Sequence, residues 1–286
     1  MMNRRDLLNL AATSTAVSML PDSSSAAAET SPTTHIVDTN ASLFHWPFRR
    51  LPLDETSKLI AKYRDLGIAK AWVGSFDALL RRDMTAVNRR LVNACQSHPE
   101  LIPVGSVNPR IDGWEEDLRR CLQDFKMRVI RLFPNYHGYG GSLDAPSVAK
   151  LLDITGKVGT LVQLAVTMED TRTQNTMVQI EDVDTTPLPG LLRRIPKARV
   201  QILNLRGSNF ANLAATKNLY FDTSRADSTD GVPKLVKTVG VERVMFGTHA
   251  PFLIPEASLI RIHETSQLGD GQMRQVLSAN AAQFLS

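Results

Sequence analysis

The chain has 286 residues, 43% of them hydrophobic and 22% charged, with a formal net charge of +4. That length suits one α/β barrel of about 250 residues plus a short leader. Its basic residues fall as scattered pairs such as Arg81-Arg82, Arg89-Arg90, Arg119-Arg120 and Arg193-Arg194, with no basic stripe carrying interleaved aromatics, so nucleic acid is excluded as an expected partner.

Residues 1–28 read as a leader. Arg4-Arg5-Asp6-Leu7-Leu8 is a twin-arginine pattern, a mildly apolar run extends from Leu7 to Leu20, and Ser24-Ser25-Ala26-Ala27-Ala28 offers a cleavage site. The apolar run is too short and too polar to span a bilayer. The expectation is a signal peptide for twin-arginine export to the periplasm, with no stable membrane anchor after cleavage. Its loss removes two Arg and two Asp and leaves the net charge unchanged.

From residue 33 onward, strand, polar turn and helix repeat. Strands are predicted at 35–40, 69–75, 101–107, 127–133, 160–166, 198–205, 219–223 and 242–247, each rich in Val, Ile and Leu and bounded by Gly, Pro, Asn or Asp. Helices are predicted at 56–66, 84–97, 114–125, 146–158, 187–195, 230–239 and 255–285. In the first, Leu59, Ile60 and Tyr63 form one face; in the third, Leu118, Cys121, Leu122 and Phe125 do. Cys95 and Cys121 follow Leu91 and Leu118 at helical spacing and read as buried core thiols. The stretch Met168 to Thr186 is irregular, as lid and binding loops are.

Eight buried-type strands alternating with helices specify an α/β fold, a closed (β/α)₈ TIM barrel forming a single domain over 29–286. An open doubly wound sheet would carry a Gly-rich phosphate loop after its first strand, and Asp38-Thr39-Asn40 is not one. Barrel chemistry gathers at the C-terminal strand ends. There the first strand offers Asp38, Asn40 and Ser42, all of one parity and so expected on one side. The fourth offers Arg131 and then Asn135, Tyr136 and His137; the fifth offers Gln163 and leads into Glu169, Asp170 and Arg172. The sixth offers Asn204 and Arg206, the seventh Asp222 and Ser224, and the eighth His249.

Val37-Asp38-Thr39-Asn40-Ala41-Ser42 and Val244-Met245-Phe246-Gly247-Thr248-His249 resemble the first and last strands of the amidohydrolase-related TIM-barrel family. That family carries Asp-x-His-x-His on the first strand and Gly-Thr-Asp or Gly-Ser-Asp on the last, with the His and Asp residues holding a catalytic metal. Phe133-Pro134-Asn135-Tyr136-His137-Gly138-Tyr139 and Asn280-Ala281-Ala282-Gln283-Phe284-Leu285 also match. The resemblance places Asn40, Ser42, Gln163 and Asn204 where the family has histidines, and His249 where it has the final Asp. Amide oxygens are weak zinc ligands, so zinc is disfavoured and no cofactor is firmly expected.

The ring could work through acid–base chemistry at His249, with Asp38 or Asp222 fixing its tautomer and His137 at the rim. Arg131, Arg172 and Arg206 could hold a substrate carboxylate or an oxyanion, with Asn40, Ser42, Gln163, Asp170 and Asn204 completing the binding set. The bland alternatives are that Gln163 and Asn204 satisfy each other and that Asp170-Thr171-Arg172 is a salt-bridged loop anchor. The resemblance implies an exported hydrolase acting on an ester, lactone or amide bond of a small polar substrate. The alternatives are a catalytically silent barrel that binds a small ligand and, more weakly, a decarboxylase-like lyase. The partner expected is a small molecule, and the oligomeric state is left open.

Overall fold

The computed structural model describes residues 35–206 and 210–285. The leader expected at 1–28 lies outside them, as does the start of the domain expected at 29. Among the described residues are nine short parallel strands: β1 (Ile36–Leu43), β2 (Ile68–Ser75), β3 (Leu101–Pro103), β4 (Gly105–Ser106), β5 (Val129–Leu132), β6 (Leu161–Ala165), β7 (Arg199–Leu203), β8 (Leu219–Asp222) and β9 (Val244–Met245). β1, β2 and β3 pair in that order, and so do β4 to β9. β3 and β4 are halves of one stave: β3 pairs with β2, β4 pairs with β5, and Val104 between them donates to Val73 O at 2.9 Å.

β1 and β9 close the ring. Thr39 N donates to Phe246 O (2.9 Å), His249 N to Asn40 O (2.8 Å) and Ser42 N to Ala250 O (2.9 Å). The result is the (β/α)₈ barrel that the alternation of elements predicts, with each predicted strand present.

Strand alternation sorts the barrel interior into levels. On β5, Val129 joins an apolar cluster at the N-terminal end, Arg131 lies above it, and Phe133 just beyond the strand joins a second cluster at the mouth. On β6 the same sequence is Leu161, Gln163, Ala165. The intervening Ile130, Leu132, Val162 and Leu164 pack into the large core between sheet and helices. Phe284 plugs the lower end, edge-on to Tyr220 (5.0 Å) and Trp72 (6.5 Å).

The helices follow their apolar faces. Leu59, Ile60 and Tyr63 of Thr56–Asp65 are buried, and Met84–Gln96 starts on the Asp83 carboxylate, which accepts from Ala86 N at 2.8 Å. Cys95 and Cys121 are buried free thiols, as their spacing predicts. Four regions differ from expectation. The helix at 114 is α only over Trp114–Arg119 and finishes as a π turn, Arg120–Asp124. The expected helix 255–285 breaks after Pro255–His263 and resumes at Asp270 behind Gly269. The short helices Phe76–Leu79 and Phe210–Leu213 carry too few turns to show a sequence period. Among the described residues no helix is long and apolar enough to cross a membrane.

One correction bears on the site. Asp38, Asn40 and Ser42 do not share a side, because the register of β1 against β2 shifts between Asp38 and Ala41. An irregularity of this kind re-aims side chains on either side of it.

Candidate binding site at the barrel mouth

The deepest polar layer is built on Arg131, which is 1% exposed. Its Nε donates to Gln163 Oε1 (2.8 Å), and its Nη1 to Ala41 O (2.9 Å) and Ser42 Oγ (3.2 Å). Gln163 Nε2 donates in turn to Thr39 O (2.7 Å) and Gln201 Oε1 (2.8 Å), Gln201 Nε2 to Thr39 Oγ1 (2.8 Å), and Thr39 Oγ1 to Phe246 O (2.9 Å). Gly74 makes room for the guanidinium, since a Cβ there would stand 2.8 Å from Nη1. Nη2 is buried without a partner, and among the described residues no carboxylate forms an ion pair with Arg131. Burial pushes its pKa down to about 10, against the fields of Asp38 and Asp222. Asp38 and Asp222 balance its charge from nearby, so what the guanidinium lacks is an acceptor for Nη2.

Above this layer lies a closed ring of hydrogen bonds. Asn40 Nδ2 donates to Asn204 Oδ1 (2.7 Å) and Asp222 Oδ2 (2.6 Å); Asn204 N donates to Asp222 Oδ1 (3.0 Å), Asn204 Nδ2 to Thr167 O (2.6 Å) and Ser224 Oγ to Asn204 Oδ1 (2.9 Å). Asn204 adopts φ 62°, a left-handed conformation that Asn tolerates better than most residues. Gly247 admits Asp222, whose Oδ2 would lie 2.9 Å from a Cβ at that position. Burial raises the Asp222 pKa to about 6, although Ser224, Asn40 and Asn204 N all favour the carboxylate.

His249, at φ 56° and 2% exposed, joins this ring only through its backbone, which donates to Asn40 O. Its ring lies parallel to Phe252 with centroids 4.9 Å apart. Nε2 is 2.7 Å from Met168 O, and since a carbonyl only accepts, Nε2 carries the hydrogen. Burial, with help from Arg225 and Arg131, lowers the His249 pKa to about 3. His249 is therefore neutral at physiological pH, in contrast to the near-neutral titration expected of it.

Segments after β1, β2, β5, β6 and β9 cover the mouth. Trp46 packs edge-on to Phe252 (4.6 Å), Phe76 (5.2 Å), Phe48 (5.3 Å) and Tyr136 (5.9 Å). Arg49 Nη2 pairs with the buried Glu169 at 2.8 Å. At the rim, Asp170 pairs with Arg172 (2.8 Å) and Arg206 (3.5 Å), so Asp170 and Arg172 do form the loop anchor foreseen as their bland reading.

The structure thus divides the expected site residues. Asn40, Asn204 and Asp222 meet directly; Ser42, Arg131 and Gln163 meet one layer down. Gln163 and Asn204 do not satisfy each other as expected, because Gln163 sits too deep; Thr167 is the residue of that stave which reaches Asn204. Asp38 does not orient His249. It accepts from Tyr63 Oη, Thr248 Oγ1 (2.6 Å), Thr248 N (3.0 Å) and Asn40 N (2.9 Å), and so clamps the β1–β9 seam to helix Thr56–Asp65. His137 Nε2 donates to Ala78 O (2.8 Å), which ties two loops together. Sequence reading overlooked Thr39 and Gln201, whose signal was a polar side chain in the middle of an apolar strand. It also overlooked Arg225, a half-buried residue whose buried Nε has no partner among the described residues.

These residues do not fit the metal that the resemblance implies. Where an imidazole would present a lone pair, Asn40 presents N–H groups to Asp222 and Asn204. Ser42 and Gln163 are taken up by Arg131, and Asp222 is the single carboxylate in the ring. Among the described residues no group of three His, Cys, Asp or Glu could hold a metal ion.

Residues 47–286 match the amidohydrolase family profile. Comparison with curated protein sequences gives no significant match. Among solved structures, the barrel is similar to 5-carboxyvanillate decarboxylase from Sphingomonas paucimobilis, with TM-score 0.69 and 12% identity over 88% of this chain and 99% of that one. It is also similar to 2,6-dihydroxybenzoate decarboxylase from Rhizobium (TM-score 0.67, 13% identity, 87% and 98% covered). A third is a dihydroxybenzoic acid decarboxylase from Polaromonas with bound manganese and the inhibitor 2-nitroresorcinol (0.66, 12%, 87% and 96%). At such identities the likeness shows the fold.

Proposed function

The chain belongs to the amidohydrolase family, and from that premise we propose that it binds a small carboxylic acid at the barrel mouth without the family's metal-assisted hydrolysis. Arg131 carries this reading: a guanidinium 1% exposed, held from below by Gln163, with Nη2 unpartnered and no carboxylate paired to it. A ligand carboxylate that parts the Asn40–Asn204–Asp222 ring would supply the missing acceptor, and the aromatic cover around Trp46 suits a ring-bearing acid. The relatives named above act on aromatic acids, which favours the same class. The acid–base role expected of His249 in hydrolysis is weakened, because with its pKa near 3 it is a poor base for activating water.

The test is calorimetric titration with benzoate and 2,6-dihydroxybenzoate. Losing a charge-assisted hydrogen bond costs about 1.5–3 kcal/mol, so Arg131→Met is expected to weaken binding by about 10- to 100-fold. Equal affinity in the variant, or no binding of either acid to the wild-type chain, would defeat the reading.

Asp222, with a pKa near 6, favours a second reading, decarboxylation. A protonated Asp222 would give its proton to the ring carbon bearing the carboxylate. The carbon–carbon bond would then break, its electron pair would restore the ring, carbon dioxide would leave, and solvent would reprotonate Asp222. Carbon dioxide release that Asp222→Asn abolishes would establish turnover; binding without release leaves the carboxylate-binding reading in place. Export by the twin-arginine route belongs to the same proposal and rests on Arg4-Arg5 and the apolar run behind it.

A further inference from the structure

The opposite end of the barrel holds a cavity of about 520 Å³ that the reading above does not use. It lies below β5 and β6, between the Trp114–Arg119 helix with its π turn and the helix Pro146–Lys157. Its volume falls within the range of small-molecule pockets, about 300–1,000 Å³. The floor is apolar: Leu118 and Met127 are buried, Leu122 and Ile154 are partly covered, and Val158 stands 58% exposed at the edge.

The backbone explains why this wall stands open. In the π turn Phe125 N donates to Arg120 O (2.9 Å), and Met127 N then reaches back to Cys121 O (2.8 Å). Lys126 between them adopts φ 53°. Gly105 lets Met127 sink inward, since a Cβ there would stand 2.7 Å from its Sδ. Lys126 and Arg128 on either side are exposed, and neither forms an ion pair among the described residues. The other charges of the lining are already paired: Arg119 with Glu116 (2.7 Å) and Asp124 (3.0 Å), and Glu115 with Lys150 (2.9 Å).

We propose that this cavity binds one amphipathic carboxylate, its apolar body on Leu122, Ile154 and Val158 and its anionic head between Lys126 and Arg128. The site is separate from the barrel mouth, and the proposal stands or falls independently of the function assigned there. Decanoate is the probe, with decanol as an apolar control and inorganic phosphate as an anionic one, titrated by calorimetry into the wild-type chain. The same titration into Arg131→Met keeps the mouth out of the measurement. Expected is saturable one-to-one binding of decanoate that persists in Arg131→Met, exceeds decanol and phosphate by at least about tenfold, and falls about tenfold or more in Lys126→Glu/Arg128→Glu. Val158→Asp, a change at an exposed position, is expected to weaken it as well. No saturable binding, binding lost in Arg131→Met, or affinity unchanged in both the charge-reversed and Val158 variants would overturn the proposal. Phosphate binding as tightly as decanoate would overturn it too, by reducing the site to an anion patch.

Discussion

Arg131 Nε donates to Gln163 Oε1 at 2.8 Å, and the amide orientation this requires is matched two side chains away. Thr39 Oγ1 spends its hydrogen on Phe246 O, so it accepts from Gln201 Nε2. Gln201 is left with its oxygen facing Gln163 Nε2, and Gln163 with its oxygen facing Arg131. A polarised chain of this kind locks the guanidinium in one orientation and leaves Nη2 as the free donor.

Gln163→Leu breaks the chain at its centre. Arg131 Nε, Gln201 Oε1 and Thr39 O all lose a partner in a buried layer, and each orphan costs about 1–3 kcal/mol. Urea unfolding is expected to show a loss of about 3 kcal/mol or more. A loss below about 1 kcal/mol would mean that water replaces the amide and the layer is not closed.

Gly74→Ala probes the same guanidinium from the other side. The added methyl would stand 2.8 Å from Nη1 and 3.1 Å from Cζ, so Arg131 must shift. Overpacking of this kind costs about 1–3 kcal/mol. Benzoate affinity is expected to fall along with stability. Undiminished affinity would show that Arg131 is not the anion's partner.

The sequence made the barrel legible because its signals are collective. Eight apolar runs separated by helical faces survive the loss of any one, and the register was carried well enough to bring Asn40, Asn204 and Asp222 together. The site was less legible because its errors turn on single residues. One register shift in β1 sends Asp38 to Tyr63 and Thr248 instead of the mouth. Gln163 stands four residues before Thr167, two side-chain levels down the same stave and too deep to meet Asn204. His249 has the position expected of it, but no sequence pattern announces that Met168 O will accept its Nε2–H and Phe252 will cover its ring.

His249 is nevertheless expected to make the fold acid-sensitive. Its folded pKa, about 3, lies below the roughly 6.5 of an unfolded histidine, so the unfolded chain takes the proton first as pH falls. Its contribution is complete above about pH 6.5 and is lost as pH drops toward 3. His249→Gln, which keeps an N–H for Met168 O, is expected to flatten the decline in Tm between pH 6.5 and 4. An unchanged slope would place the acid sensitivity elsewhere.

The export proposed from Arg4-Arg5 gives a prediction at the level of the cell. Replacing Arg4-Arg5 by Lys-Lys keeps the charge and removes the guanidinium pair on which twin-arginine recognition rests. Cell fractionation is expected to find the variant retained inside and the parent chain exported. Equal export of both would exclude that route.

Asp222 ties the anion site to pH with the opposite sign. Its folded pKa, about 6, lies above the roughly 3.9 of an unfolded aspartate, so the folded chain holds the proton more tightly. Ionising the buried carboxyl therefore costs stability as pH rises from about 4 to 6, by up to about 3 kcal/mol, and nothing further above that range. Ligand binding should follow the same proton. The Asp222 carboxylate offsets the Arg131 charge from nearby, so protonating it leaves the guanidinium freer to attract an anion. Benzoate affinity is expected to rise about three- to tenfold from pH 7.5 to 5, where benzoate itself remains ionised, a change of about 1 kcal/mol. In Asp222→Asn the affinity should be independent of pH over that interval. If the variant keeps the wild-type pH dependence, the titrating group is another one, and Asp222 is only the hydrogen-bond acceptor that holds Asn40 and Asn204 in place.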